Sequence, residues 1–167
     1  MTDNCIFCRI VAGKIPAFKL YEDDLFVAIL DRFPVNPGHT LIIPKFHAED
    51  IFGLCEKEAP QVIPLAQKVA TKIKEALNPD GFNFLQNNGR AAGQEVFHYH
   101  MHVIPRRLGD GIKIHQGFGV YPAAVFNKLA LYYRQHGVNA AESHGAYFSE
   151  SKKQIFKTYF FIHLKQF

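Results

Sequence analysis

Three histidines at alternate positions, His98-Tyr99-His100-Met101-His102, are the residues of this chain best placed to do chemistry. In an extended backbone successive side chains point to opposite faces. The three imidazoles then share one face of a strand, about 6.8 Å apart, and Tyr99, Met101 and Val103 take the other. A neutral imidazole nitrogen is nucleophilic near pH 7, and a phospho-imidazole is reactive enough for water to clear it, so one hard displacement at phosphorus becomes two easier ones. A lone histidine more often satisfies internal hydrogen bonds; three in register tilt the balance toward chemistry. Immediately upstream, Gly93-Gln94-Glu95-Val96 offers backbone N–H groups at a glycine-bearing turn, a concavity suited to an oxyanion or phosphate, although glycine there also serves a simple turn.

A second group lies near the start. Cys5-Ile6-Phe7-Cys8 supplies two thiolates at a spacing that suits half of a tetrahedral zinc shell, with histidines available to complete it. A redox pair or two inert helix cysteines fit the same spacing. Three cysteines in all fit a metal or redox pair in a reducing compartment better than a disulfide framework, and the remaining Cys55 is expected to be a buried small apolar residue.

Stop signals and periodicity place the elements that must carry these groups. A short helix is predicted from near Cys5 to Gly13, ahead of Pro16. Residues 18–21 and 25–30 read as a hairpin around Glu22-Asp23-Asp24, and residues 39–43 as a third strand bounded by Pro44. Between 56 and 77, Val62, Leu65, Ala66, Val69, Ile73, Ala76 and Leu77 recur at helical spacing, closed by Asn78-Pro79-Asp80-Gly81; Pro64 should lie near the start of this main helix or kink it. Residues 82–86 alternate as a strand, residues 88–93 form a flexible loop, and residues 97–104 form a last strand ending at Pro105. Five strands and one long helix joined by short turns predict an α+β domain on an antiparallel sheet. Beyond Pro105 the pattern is weaker: a helix is read from Pro122 to Tyr133, and the apolar, aromatic stretch near the end must pack somewhere or promote association.

At 167 residues and 48% apolar, the chain has room for one sizeable core rather than two. Its opening residues lack the basic start and apolar run of a signal peptide, and no later run approaches 18 apolar residues, so a soluble, cytoplasmic protein without a membrane partner is expected. The formal charge of +4 is concentrated late: from Arg134 onward there are five basic and two acidic residues, and 14 basic against 13 acidic before it. No basic stripe marks the body as a nucleic-acid binder.

The run from His98 to Ile104, followed by Pro105-Arg106, resembles the motif of the histidine triad (HIT) family. Asp31, Pro37-Gly38-His39, Ile43-Pro44-Lys45, Asn87 and Gly93-Gln94 stand where triad hydrolases of the branch with small nucleoside substrates have matching residues, over roughly the first 107 positions. The resemblance implies the HIT fold, a sheet of about five antiparallel strands with one long helix and a short N-terminal helix, continued across a homodimer. It implies one domain over residues 1–136 (core match 1–107), with a C-terminal tail over 137–167 that has no counterpart.

The resemblance also implies roles. His100 attacks the α-phosphorus of a purine nucleotide conjugate, a nucleoside phosphoramidate or a diadenosine polyphosphate, and carries the AMP-like nucleotidyl group. His102 and Asn87 touch the phosphate, the Gly93 and Val96 backbone lines its oxygens beside Gln94, and His39 supports the triad from a neighbouring strand. Asp31 holds the ribose hydroxyls. Phe7, Ile10, Ile15 and Leu30 form an apolar wall around the purine, although each also fits plain core packing. Glu95 stands where many phosphoramidase members have a Ser or Thr that assists the leaving group; a carboxylate donates a proton there only if its pKa is raised. Similar bacterial members join a Cys-X-X-Cys to the histidine after Pro-Lys-X, here His47, and to the first triad histidine. That implies Cys5, Cys8, His47 and His98 as a closed structural zinc site. Two other classes remain: a purine-nucleotide-binding adaptor with incidental turnover, and a zinc-dependent hydrolase whose histidines leave an open metal position.

Overall fold

A computed structural model of the chain describes residues 4–113 and, beyond them, Gln135 alone. The helix expected from Pro122 and the tail expected over 137–167 lie outside the described residues. The first element, α1 (Ile6–Val11), starts where the Cys5 sulfur accepts a hydrogen bond from the Cys8 backbone N–H. It stops before Gly13, whose φ of +72° turns the chain in the left-handed region that favours glycine.

Five strands follow: β1 (Lys19–Glu22), β2 (Phe26–Leu30), β3 (Thr40–Pro44), β4 (Gly81–Leu85) and β5 (Met101–Arg106). They form one antiparallel sheet in the order β1-β2-β3-β5-β4. The hairpin between β1 and β2 is fixed by Asp23, whose carboxylate accepts from the N–H of Leu25 and Phe26 and from the Tyr21 hydroxyl. The last strand to form in sequence lies inside the sheet, between β3 and β4, so the histidine segment runs into its middle.

The main helix, α2 (Val62–Leu77), begins later than the spacing alone predicted. A 3-10 turn at Ala59–Gln61 precedes it, and Pro64 falls at its third residue. A backbone N–H there has no intrahelical acceptor to lose, so the helix tolerates proline in its first turn. It ends at Asn78, left-handed at φ 45°, whose N–H donates to the Lys74 carbonyl.

Both faces of the sheet are covered. Val62, Leu65, Ala66, Val69, Ala70 and Ile73 of α2 pack with Phe26, Ala28, Ile42, Tyr99, Met101 and Val103 on one face. On the other, Val27, Ile29, Leu41 and Ile43 pack with Cys5, Phe7, Cys8 and Ile10 around α1. Strands covered on both sides need apolar residues in unbroken runs, as β2 and β3 show, instead of alternation. Tyr99, Met101 and Val103 take the α2 side, which sends the histidines of the motif toward α1.

Two expectations require correction. The last strand starts at Met101, not 97, because residues 96–98 bend: the His98 N–H donates to the Val96 carbonyl at 2.9 Å and the Tyr99 N–H to the Ala48 carbonyl at 2.6 Å. Pairing with β3 begins only at Ile42 opposite Met101. His98 and His100 thus approach the sheet on a segment held by its own bonds. Cys55 is exposed, in the turn ahead of α2, where its N–H donates to the Glu58 carboxylate. Among the described residues no helix is long and apolar enough to cross a membrane.

Candidate active site

His98 is fully buried and its two ring nitrogens are both engaged. Nε2 lies 2.9 Å from the Pro44 carbonyl, an acceptor only, so Nε2 carries the hydrogen and Nδ1 is left bare. Burial, helped by the neighbouring His47 and His100, holds this imidazole neutral by lowering its pKa to about 4. The bare Nδ1 faces Cys5 Sγ at 3.3 Å, Cys8 Sγ at 3.6 Å and His47 Nδ1 at 3.2 Å, and His47 Nδ1 faces Cys8 Sγ at 3.4 Å.

Those distances can be set against a tetrahedral zinc shell. Bonds of about 2.05 Å to nitrogen and 2.3 Å to sulfur put two nitrogens about 3.3 Å apart and a nitrogen and a sulfur about 3.6 Å apart. The four donor atoms all lie within 4.8 Å of one another, on α1, its cap, the loop after β3 and the bend before β5. The donor set and its spacing fit the ion. Burial raises the Cys5 thiol pKa.

His100, two residues on, is arranged differently. Its Nδ1 lies 2.7 Å from the His98 carbonyl, so Nδ1 is the protonated nitrogen and Nε2 holds the lone pair. Among the described residues no hydrogen bond occupies Nε2 and no buried side-chain nitrogen or oxygen lacks a partner; Nε2 therefore opens to solvent. Burial lowers the His100 pKa, opposed by the His98 carbonyl and by the Asp31 charge. The Phe7 ring sits edge-on at 5.0 Å and the His102 ring at 5.0 Å between centroids.

His102 stands at the start of β5 opposite Leu41 of β3 and Leu85 of β4. Its Nδ1 meets His39 Nε2 at 2.9 Å, and His39 Nδ1 lies 3.5 Å from an Asp31 carboxylate oxygen. Burial lowers the pKa of both histidines, His102 to about 4, with Asp31 pulling each upward. His39 is placed by Gly38, where φ is +86° and an added Cβ would come within 2.7 Å of Leu77. Asp31, His39, His100 and His102 thus form one electrostatic unit, in which the Asp31 charge reaches all three rings.

The loop before the motif is braced by the buried Gln94. Its side chain accepts from the Gly89 N–H at 2.7 Å and donates to the Glu49 and Val96 carbonyls. The Gly93 N–H donates to the Arg90 carbonyl and the Gln94 N–H to the Gly89 carbonyl. Among the described residues the Glu95 and Val96 N–H groups of this turn make no hydrogen bond. Asn87 Nδ2 donates to the Gly93 carbonyl at 3.3 Å, and the Glu95 side chain is exposed. Phe7 and Ile10 are buried in the α1-side core with Ile15 and Val96 packed against it; Leu30, at 36% exposed, stands outside that cluster.

Three functional groups carry no signal in the amino-acid alphabet: the carbonyls of Pro44 and His98, which fix the tautomers, and the Val35 N–H, which lies 3.4 Å from His39 Nδ1.

Fold and site define a class: an α+β domain that holds a triad of neutral histidines at the entry to an interior strand of its sheet, one ring locked and one with an open nitrogen. A family model described as the HIT domain matches residues 12–109, and the chain belongs to the HIT domain family. It is 50% identical over 110 residues to the "Protein hit" of Bacillus subtilis, covering 65% of this chain and 76% of that one. An Arabidopsis thaliana protein named "Adenylylsulfatase HINT3" is 44% identical over 114 residues, 66% of this chain and 56% of the relative. The crystal structure of a Zn-bound histidine triad family protein from Mycobacterium smegmatis superposes with a TM-score of 0.63 at 37% identity, covering 80% of this chain and 97% of the other.

Proposed function

We propose that this protein is a nucleotide hydrolase or transferase that cleaves purine nucleotide conjugates at the α-phosphate through a nucleotidyl-His100 intermediate. The 2.7 Å hydrogen bond from His100 Nδ1 to the His98 carbonyl carries this reading, because it leaves Nε2 as a lone pair open to solvent. Nε2 forms a bond to the α-phosphorus as the bond from phosphorus to the leaving group breaks, and the leaving group departs with a proton. Water then attacks the same phosphorus, breaks the bond to His100, gives up its proton and releases the nucleoside monophosphate. His102 and Asn87 are assigned to the phosphate oxygens, with the free N–H groups of Glu95 and Val96 beside them. Asp31 is assigned to the ribose hydroxyls, and Phe7, Ile10, Ile15 and Leu30 to the base. The substrate class is a nucleoside phosphoramidate or a dinucleoside polyphosphate; the adenylylsulfatase name of the Arabidopsis relative supports an adenylyl group.

Cys5, Cys8, His47 and His98 would hold a zinc ion of the bacterial zinc-containing type, whose contribution is structural: four protein ligands leave no position for water. The Zn-bound mycobacterial relative supports this assignment. A homodimer continuing the sheet fits β4, an edge strand whose Phe84 is 46% exposed. The experiment for the central reading is intact-protein mass spectrometry with product analysis after mixing an adenosine phosphoramidate with wild type and with His100→Ala. An adenylyl adduct and AMP release in wild type alone are expected. Tight AMP binding with neither adduct nor product would replace the enzyme with an adaptor.

A further inference from the structure

The contact between His39 and His102 constrains where protons lie. Both rings are neutral near pH 7, so each carries one hydrogen. The facing nitrogens, His39 Nε2 and His102 Nδ1 at 2.9 Å, share one of the two hydrogens. The other must sit on one of the two outer nitrogens: His39 Nδ1 or His102 Nε2. Two groups compete for the first. The Val35 N–H, at 3.4 Å, is a donor and requires Nδ1 to be bare, whereas the Asp31 carboxylate, at 3.5 Å, is an acceptor and requires Nδ1 to be protonated. The other Asp31 oxygen already accepts from the Phe33 N–H at 2.9 Å.

We propose that Asp31 and His39 are positioning residues that set the tautomer of His102, and that ribose hydroxyls select its donor form by engaging the Asp31 carboxylate. This rests on the nucleotide-transfer reading above, with the ribose at Asp31. A ribose hydroxyl donating to Asp31 weakens the pull of that carboxylate on the His39 Nδ1 hydrogen. Val35 then holds Nδ1 bare, the shared hydrogen lies on His39 Nε2, and His102 presents Nε2–H. A charge-assisted donor of this kind strengthens as negative charge develops on the phosphate oxygens, so sugar recognition raises the rate of transfer as well as affinity. Without hydroxyls, Asp31 keeps the hydrogen on His39 Nδ1, and His102 offers a lone pair that repels the phosphate.

The test compares adenosine 5′-phosphoramidate with its 2′,3′-dideoxy analogue on the full chain, at saturating substrate in a single turnover. In wild type the dideoxy sugar is expected to slow adenylylation of His100 by about tenfold, short of the roughly 10²–10³ that loss of a whole oxyanion donor costs. In Asp31→Asn, which lacks the charge that attracts the hydrogen, the two sugars should react within about twofold of one another. Nitrogen-15 spectra of the histidine rings give an independent arm: His102 Nε2 should be protonated with AMP and lose that hydrogen with dideoxy-AMP. A dideoxy effect confined to affinity, with an unchanged saturating rate and unchanged His102 signals, would overturn the relay. Absence of an adduct with either sugar would instead sink the transfer reading, and the ring signals would still decide the relay.

Discussion

His98 and His100 are two residues apart, on the same face of the chain, and both neutral, yet they are held in different ways. Every nitrogen of His98 is engaged: Nε2 by the Pro44 carbonyl and Nδ1 within the Cys5, Cys8 and His47 cluster. His100 has one nitrogen held by a carbonyl and the other open. Residue type and spacing therefore do not separate the two environments: a backbone carbonyl takes the first ring hydrogen of each, and what faces the second nitrogen tells them apart. The cluster around His98 ties α1 to the segment whose carbonyl orients His100, so the closed region sets the geometry of the open one.

The largest break in this pairing is expected at His100. Replacing it with Ala should lower kcat/KM by about 10⁴-fold or more, as losing a nucleophile does, while the melting temperature stays within about 5 °C of wild type. Steady-state kinetics beside thermal denaturation read both. An equal loss of stability would merge the two histidines into one structural role.

Damage to the closed region should show the reverse order. Zinc removal, or Cys8→Ser, is expected to cost roughly 3 kcal/mol of stability, a fall of more than about 10 °C in melting temperature, with activity declining as the fold loosens. Calorimetry with a zinc assay tests this; unchanged melting after complete metal removal would dissolve the cluster as a scaffold.

A finer separation comes from pH. His102 has a folded pKa of about 4 against 6.5 in its ordinary state, chiefly through burial. Between those values the unfolded chain binds a proton that the folded chain does not. The contribution is complete above about pH 6.5 and is lost as pH falls to about 4, on the order of 2 kcal/mol after allowance for partial exposure. Urea denaturation of wild type and His102→Gln across this range should show a shallower acid decline in the variant. The smallest effect is assigned to Cys55, exposed and outside both regions: Cys55→Ser should shift stability by less than about 0.5 kcal/mol and leave the zinc content as it was.

Much of this arrangement could be read before any coordinates. The alternation of His with Tyr99, Met101 and Val103 separates the side chains that pack under α2 from those turned toward α1, because successive side chains of an extended chain point to opposite faces. The apolar period of residues 62–77 located α2. Its start, at Val62 and not Glu56, is hidden from the sequence because the turn at Ala59–Gln61 has no apolar period of its own. The strand start at Met101 instead of 97 is not legible in the sequence, because the bend at 96–98 depends on bonds from distant residues, Ala48 and the loop that Gln94 braces. Cys55 was placed inside by its type, whereas its neighbours in a polar turn decide its exposure. For the cluster, spacing offered Cys5 and Cys8 alone; His47 and His98 lie 39 and 90 residues from Cys8, and only family resemblance joined them ahead of the fold.

The most direct test of the account is to quench the protein during turnover of an adenosine phosphoramidate, digest it without acid, and sequence the adenylylated peptide. The account predicts the AMP group on His100, with His98 and His102 unmodified. An adduct on His102, or on His98, would contradict the claim that the open Nε2 of His100 is what makes this histidine the nucleophile.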